Sequence, residues 1–214
     1  MSEQTAAGKP ALKPLAIKCT SSKCEDGLHC FKATRKLKAS GDEGACRSCG
    51  VKLVDWPRIR QLDPADAAHT LTAMRLELIR HHFWHVAIDE DAVVKARRKG
   101  KTGLEAAVPK RIRQSVGKEK PFRDGQQTPF VGNVIYYAQH ATASCCRTCM
   151  EYWHGIPKGR ALTDAEVEYL SRLAMLFITE RLPDLPQEGE RATRKYGEKS
   201  QSLAAGGRDA AHTD

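Results

Sequence analysis

VIYYA, residues 134–138, is the stretch whose reading decides the fold class. β-branched and aromatic side chains stand together in it, the composition of a half-buried strand. On that reading the chain is α+β, mostly helical, with a single short strand. Its flanks point to helices. Downstream, Ser144 can cap a helix over 145–154, closed by Gly155 and Pro157. Thr163 and Glu166 have the spacing of a capping box and open a helix to about Arg181. Its apolar positions Val167, Leu170, Leu173, Ala174, Phe177 and Ile178 recur at helical spacing.

Upstream, residues 118–133 are rich in Gly, Pro and Lys and read as a loop. Asp63-Pro64 is a helix start, the carboxylate capping free amides and proline fitting the first turn. That helix is expected to run to about residue 86, apolar on more than one face and central to the core. Asp89 caps a second helix ending near Gly100, and Thr102 with Glu105 matches a capping box for a third, which Pro109 either kinks or restarts. The resulting division is a loose tail (1–14), a cysteine-rich zinc-ribbon-like module (15–55), a helical domain (56–182) and a charged tail (183–214) too poor in apolar residues to fold.

The chain has 214 residues, 41% of them hydrophobic, enough to bury a core. No run approaches the length of apolar residues that a transmembrane helix needs, and the first residues lack a signal's apolar region. The expected place is therefore the cytoplasm, with no membrane partner. Thiols stay reduced there, so the eight cysteines point to metal binding or thiol chemistry rather than disulfides.

Those cysteines fall into two groups. Cys19, Cys24, Cys46 and Cys49 form two close pairs about twenty residues apart, the pattern of a tetrahedral thiolate zinc site. The first pair is looser than usual, and His29 or Cys30 could replace one member. Small modules with little apolar content commonly need such a staple. In the second group, His140, Cys145, Cys146, Cys149 and His154 fall within fifteen residues. A second zinc could be assembled from the histidines and one or two of the thiols, with either Cys145 or Cys146 facing it. Cys145 could instead be a nucleophile in a first helical turn, where the helix dipole lowers a thiol pKa, with His140 as its base. Glu151 is the candidate proton acceptor if a zinc-bound water does the chemistry. His81 and His85, one helical turn apart, could add a ligand or simply pack.

Charge adds a third feature. The net charge is +9, and residues 91–123 alone hold eleven Lys and Arg against three acids. Lys95, Arg97, Arg98, Lys99, Lys101, Lys110, Arg111 and Arg113 are the candidate phosphate contacts, so nucleic acid is the expected partner. Few aromatics accompany them, which disfavours base stacking.

The pieces DGQQTP, YAQHATASCC, RTC, WHGIP and KGRALT, spread from about Phe122 to Arg181, resemble an uncharacterised family of small bacterial and phage proteins. The resemblance implies a domain that stands largely by itself, with the first cysteine group added to it. It implies no activity and no catalytic residue. Three functions compete: a zinc protein that contacts nucleic acid through 91–123, an enzyme centred on 140–154 (a metal-dependent hydrolase or nuclease, or a cysteine nucleophile), and a protein-binding module. No H-E-x-x-H or comparable motif supplies a general base at a fixed offset.

Overall fold

A computed structural model describes residues 17–190. Eight α-helices follow in order among these residues: α1 (Arg35–Ala39), α2 (Trp56–Ile59), α3 (Ala67–Met74), α4 (Leu78–His85), α5 (Glu90–Ser115), α6 (Val134–Ala141), α7 (Arg147–His154) and α8 (Asp164–Arg181). Single 3-10 turns stand at Cys24–Asp26 and Pro64–Asp66. The helix α8 packs on α3, α5 and α6, and α4 packs on α6.

The expected α+β class is corrected: the described residues hold no strand, only two isolated bridges, Lys23 with Leu28 and His29 with Glu77. VIYYA is the body of α6. Asn133 caps it, its side-chain oxygen accepting the Ile135 amide at 3.0 Å. Val134, Ile135, Tyr137, Ala138 and Ala141 are all buried, at spacings that put them on the faces meeting α4, α5 and α8. A lone strand in that position would have no partner for its amides and carbonyls, and unpaired buried backbone groups are costly. A helix satisfies them internally, so tertiary context overrides β propensity.

The expected long helix over 63–86 is two helices. Asp63 and Pro64 do start it, with the Asp63 carboxylate accepting the Ala65 amide at 2.8 Å. It then breaks before Leu78. Glu77 turns extended there and forms the bridge with His29: the His29 amide donates to Leu76 O at 2.7 Å and the Leu78 amide to His29 O at 2.9 Å. The break therefore joins the cysteine-rich N-terminal segment to the helices. Phe31 reinforces the junction, edge-on to Trp56 and to Trp153 at centroid distances of 5.8 and 5.9 Å.

Asp89 caps α5 through the Ala92 amide, and the helix is interrupted at Gly100, with φ 65°. It then runs through Pro109 to Ser115. The second half takes its cap from residues 186–188, not from a Thr102–Glu105 box. Lys101 and Thr102 amides donate to the Pro186 and Gln187 carbonyls at 2.9 and 3.0 Å, and the Thr102 hydroxyl donates to Glu188. Residues 183–190, expected to be unfolded, are thus laid along α5 with Leu185 buried. The expected tails at 1–14 and beyond 190 lie outside the described residues.

Two other starts follow from local chemistry. The helix α8 carries the expected capping box. The helix α7 begins two residues later than expected, with the Cys146 sulfur accepting the Cys149 amide in place of a Ser144 cap. Gly155 closes it in the left-handed region that glycine tolerates.

Candidate metal centres

A 3-10 turn over Cys24–Asp26, closed by Gly27 at φ 72°, and the bridge from Lys23 to Leu28 bring Cys24 and His29 to the same end of a tight loop. A second turn, with Gly50 at φ 78° and its amide donating to Cys46 O, does the same for Cys46 and Cys49. The four side chains converge, with one ligand atom from each within 4.8 Å of the others. Cys24 Sγ lies 3.7 Å from Cys46 Sγ, and Cys49 Sγ lies 3.5 Å from His29 Nδ1. Zn–S bonds of about 2.3 Å and Zn–N bonds of about 2.05 Å in a tetrahedron give edges of ~3.8 Å and ~3.6 Å. These two edges match a tetrahedral ion, the other ligand atoms lie within 4.8 Å of one another, and His29 stands where the sequence reading placed Cys19.

The second group is built on the start of α7. Cys145, Cys146 and Cys149 have their sulfurs within 4.8 Å of one another and are buried, at 5, 7 and 3% exposure. The charge within the group is uneven. Hydrogen bonds from Cys145, Cys146 and Cys19 hold Cys149 well below the ordinary thiol range against its burial. Hydrogen bonding to Cys146 and Cys149, with burial, pushes Cys145 well above it. The Cys145 contact pulls Cys146 down, but Cys149 and burial carry it up to about 11. In the first cluster burial pushes Cys46 up, but hydrogen bonds from the Cys30, Cys49 and Ser48 backbone and from His29 bring it to about 6. Burial and the sulfurs of Cys49 and Cys46 push Cys24 up to about 11. Binding a metal would expel the protons that remain on the thiols it takes as ligands.

Beside the second cluster lies a buried polar network. Arg80, on α4, donates Nη2–H to Cys149 Sγ at 3.1 Å and to the Tyr152 hydroxyl at 3.0 Å, Nε–H to Glu77 at 3.1 Å, and Nη1–H to His140 O. Glu77 accepts further bonds from Trp153 Nε1 at 2.6 Å, the Tyr152 hydroxyl at 2.9 Å and the Phe31 amide at 3.2 Å. Burial pushes the Glu77 carboxyl above the ordinary carboxylate range, while the Arg80 charge and the Trp153 and Tyr152 donors favour its ionised form. Neither Glu77 nor Arg80 was singled out from sequence. The signal was a Glu and an Arg three apart inside the apolar run AMRLELIRHHFW, which marks a buried pair rather than a solvated face.

The other candidates stand elsewhere. His140 stacks against both Phe83 and Phe130, which also stack on each other, and its Nε2 meets the Thr128 and Pro129 carbonyls at 3.3 and 3.2 Å. His154 gives Nε2 to Thr142 O at 3.0 Å and stands edge-on to Tyr169. Neither joins the three sulfurs, and His140 makes no hydrogen bond to Cys145. Glu151 is exposed on α7, outside both clusters. His81 and His85 stack on each other at 4.0 Å, with His85 Nδ1 bonded to His81 O.

Residues 68–179 match the family described as a domain of unknown function, DUF4186. The chain belongs to that family. The DUF4186 segment contains Glu77, Arg80 and the three cysteines at the start of α7. The first cluster and Cys19 all precede it. No solved structure matches the chain.

The basic residues of the DUF4186 segment divide by their partners. Arg97 pairs with Glu190 at 3.3 Å and Arg113 with Asp164 at 2.9 Å. Lys95 donates to Gly132 O, and Arg111 donates to Gln127 O while stacking over Tyr136. Among the described residues, Arg98, Lys99, Lys101 and Lys110 have no carboxylate within ion-pair distance. Nor do Lys118, Lys120 and Arg123 in the loop after α5, where Phe122 is 79% exposed. No described helix is long and apolar enough to cross a membrane.

Proposed function

We propose that the chain is a zinc protein that uses its first cluster as a structural staple and binds nucleic acid through α5 and the loop that follows it. The observation that carries the metal reading is the pair of edges in the first cluster, 3.7 Å from sulfur to sulfur and 3.5 Å from sulfur to imidazole. Four protein ligands close a coordination shell, which is the structural rather than the catalytic arrangement. Zinc suits three thiolates and an imidazole better than magnesium or calcium, which favour oxygen ligands. Such an ion would hold two tight turns that bury few large side chains of their own, and so would fix residues 29–31 against the α3–α4 break.

The nucleic-acid reading rests on the unpaired cations. Among the described residues, no carboxylate lies within ion-pair distance of Arg98, Lys99, Lys101 and Lys110, continued by Lys118, Lys120 and Arg123. Cations of this kind exchange counterions for phosphates. The exposed ring of Phe122 among them offers a base a stacking surface, which the sequence reading had discounted. Fluorescence anisotropy with labelled single-stranded and duplex oligonucleotides across a salt series tests this. Binding is expected to weaken steeply with salt, with a log–log slope losing roughly 0.7–0.9 for each phosphate contact removed by substitution. Lys99→Glu with Lys110→Glu is expected to lower both affinity and slope. Absence of binding at low salt, or binding indifferent to salt, would sink it.

A further inference from the structure

The sulfurs of Cys145, Cys146 and Cys149 lie within 4.8 Å of one another, close enough to share one ion. The backbone that presents them is fixed from several sides. Ala143, fully buried, turns the chain between α6 and α7 at φ 52°, a conformation that a residue other than glycine holds only where its surroundings impose it. The Ser144 carbonyl accepts Gln139 Nε2–H at 3.1 Å, and the Cys145 carbonyl accepts the Thr128 hydroxyl at 2.9 Å. Cys146 then caps α7, its sulfur accepting the Cys149 amide at 3.4 Å. A second observation points to charge at the same place. The fully buried Arg80 guanidinium lies 3.1 Å from Cys149 Sγ and 3.9 Å from Cys145 Sγ. A buried cation directed at sulfur is stabilised by thiolates and gains little from neutral thiols.

We propose that Cys145, Cys146 and Cys149 bind a second zinc through three thiolates, with the Arg80 guanidinium as fixed counter-charge and the fourth coordination place left to water. Among the described residues no fourth His, Cys, Asp or Glu joins the three sulfurs. His140 and His154 each place Nε2 against backbone carbonyls, and Cys19, which is exposed, falls outside the group. Three protein ligands and a water make the open arrangement of zinc, in contrast with the closed first cluster. Charge selects the class of ion. Three thiolates leave one excess negative charge on a divalent ion and two on a monovalent one, and a single guanidinium matches the first. An all-sulfur donor set disfavours magnesium and calcium, which take oxygen. All three ligands and Arg80 lie inside the DUF4186 segment, so this is the metal centre that the segment builds from its own residues. The inference does not depend on the first site, which precedes the segment and closes on different ligands.

The test is zinc per chain by elemental analysis, with zinc X-ray absorption, on the full-length native protein and on Cys49→Ser, which breaks the first site. Two zincs in the native chain and one in Cys49→Ser are expected. The zinc that remains should show three sulfurs at about 2.3 Å, one oxygen, and none of the outer-shell scattering of an imidazole. A folded Cys49→Ser chain without zinc would overturn the inference, and so would four sulfurs or an imidazole on its zinc. Adding Cys149→Ser to Cys49→Ser should remove that zinc, and its retention would overturn the assignment. Adding Cys19→Ser instead should leave it in place, and its loss would overturn the three-ligand set. If Cys49→Ser fails to fold, the native chain decides. Two zincs averaging three sulfurs each, with one imidazole between them, support the inference; a higher sulfur average overturns it. One zinc carrying an imidazole overturns it and leaves the first site intact. One zinc with three sulfurs and no imidazole supports it and removes the first site instead.

Discussion

Arg80 and Glu77 form an ion pair at 3.1 Å with both side chains at 0% exposure. Each charge is accommodated because every hydrogen-bonding position around it is filled. Glu77 leaves the α3–α4 break pointing inward, and Arg80 lies one turn into α4, so the pair exists only because the helix is interrupted. Its partners, Phe31 from the N-terminal segment and Tyr152 and Trp153 from α7, make it the point where both candidate metal centres meet the helical core.

Removing one partner of this pair should therefore be far worse than removing both. Glu77→Gln leaves a buried guanidinium uncompensated and is expected to cost on the order of 3–5 kcal/mol. Glu77→Gln combined with Arg80→Met should recover part of that loss. Urea unfolding of the zinc-loaded single and double variants measures both. A double variant as unstable as the sum of the singles would mean that the two residues act independently.

His140 and His154 give the fold an acid limit. Burial, and then the Arg80 charge, lowers His140 to about 4 from an ordinary 6.5. Burial likewise lowers His154 to about 4. Both are neutral when folded, and the unfolded chain takes up their protons first. Stability is therefore full above about pH 6.5 and falls as pH drops toward 4, by up to about 1.4 kcal/mol per pH unit for each histidine. His140→Phe keeps a ring against Phe83 and Phe130 but has no proton to gain. Its stability between pH 6.5 and 5 should fall less steeply than the native chain's, by about one proton's worth. Parallel slopes would show that acid acts elsewhere, for example on the thiolates.

Gly100 is where the 183–190 strap closes on α5. Its φ of 65° suits glycine, and a Cβ there would lie 2.4 Å from the Glu188 carbonyl carbon. Gly100→Ala is expected to destabilise by more than about 1 kcal/mol and to expose the strap. Limited proteolysis should then cleave between Pro183 and Glu190 well before the helices. Unchanged cleavage would mean that the strap does not depend on this contact.

These contacts also mark where the sequence was readable. Asp63, Asp89, Thr163 with Glu166, and Gly155 were legible because their chemistry is local, whereas the caps read at Thr102–Glu105 and Ser144 gave way to residues 186–188 and to the Cys146 sulfur. What depends on distant partners was not legible. VIYYA carries strand composition, and only its burial among three helices makes it α6. The interruption before Leu78 has no breaker residue; it follows from the bridge to His29, 48 positions earlier. Within the candidate sites, both cysteine groups were visible as clusters of ligand types. The sequence offered His29 as a substitute ligand but could not choose it over Cys19, because chain spacing pairs Cys19 with Cys24 and only the folded chain shows which side chains converge on Cys46 and Cys49.

Phe122 offers the sharpest test of how the basic loop is used. Its ring is exposed, with the Arg123 guanidinium over it at 5.0 Å, so it contributes little to the core. Phe122→Ala should leave the urea midpoint unchanged. If the ring stacks on a base, single-strand affinity should drop by about 1–3 kcal/mol, while duplex binding and the salt slope stay as they were. An equal loss on both oligonucleotides would assign the residue to shaping the loop instead. No loss on either would leave phosphate neutralisation by Lys118, Lys120 and Arg123 as the loop's whole contribution.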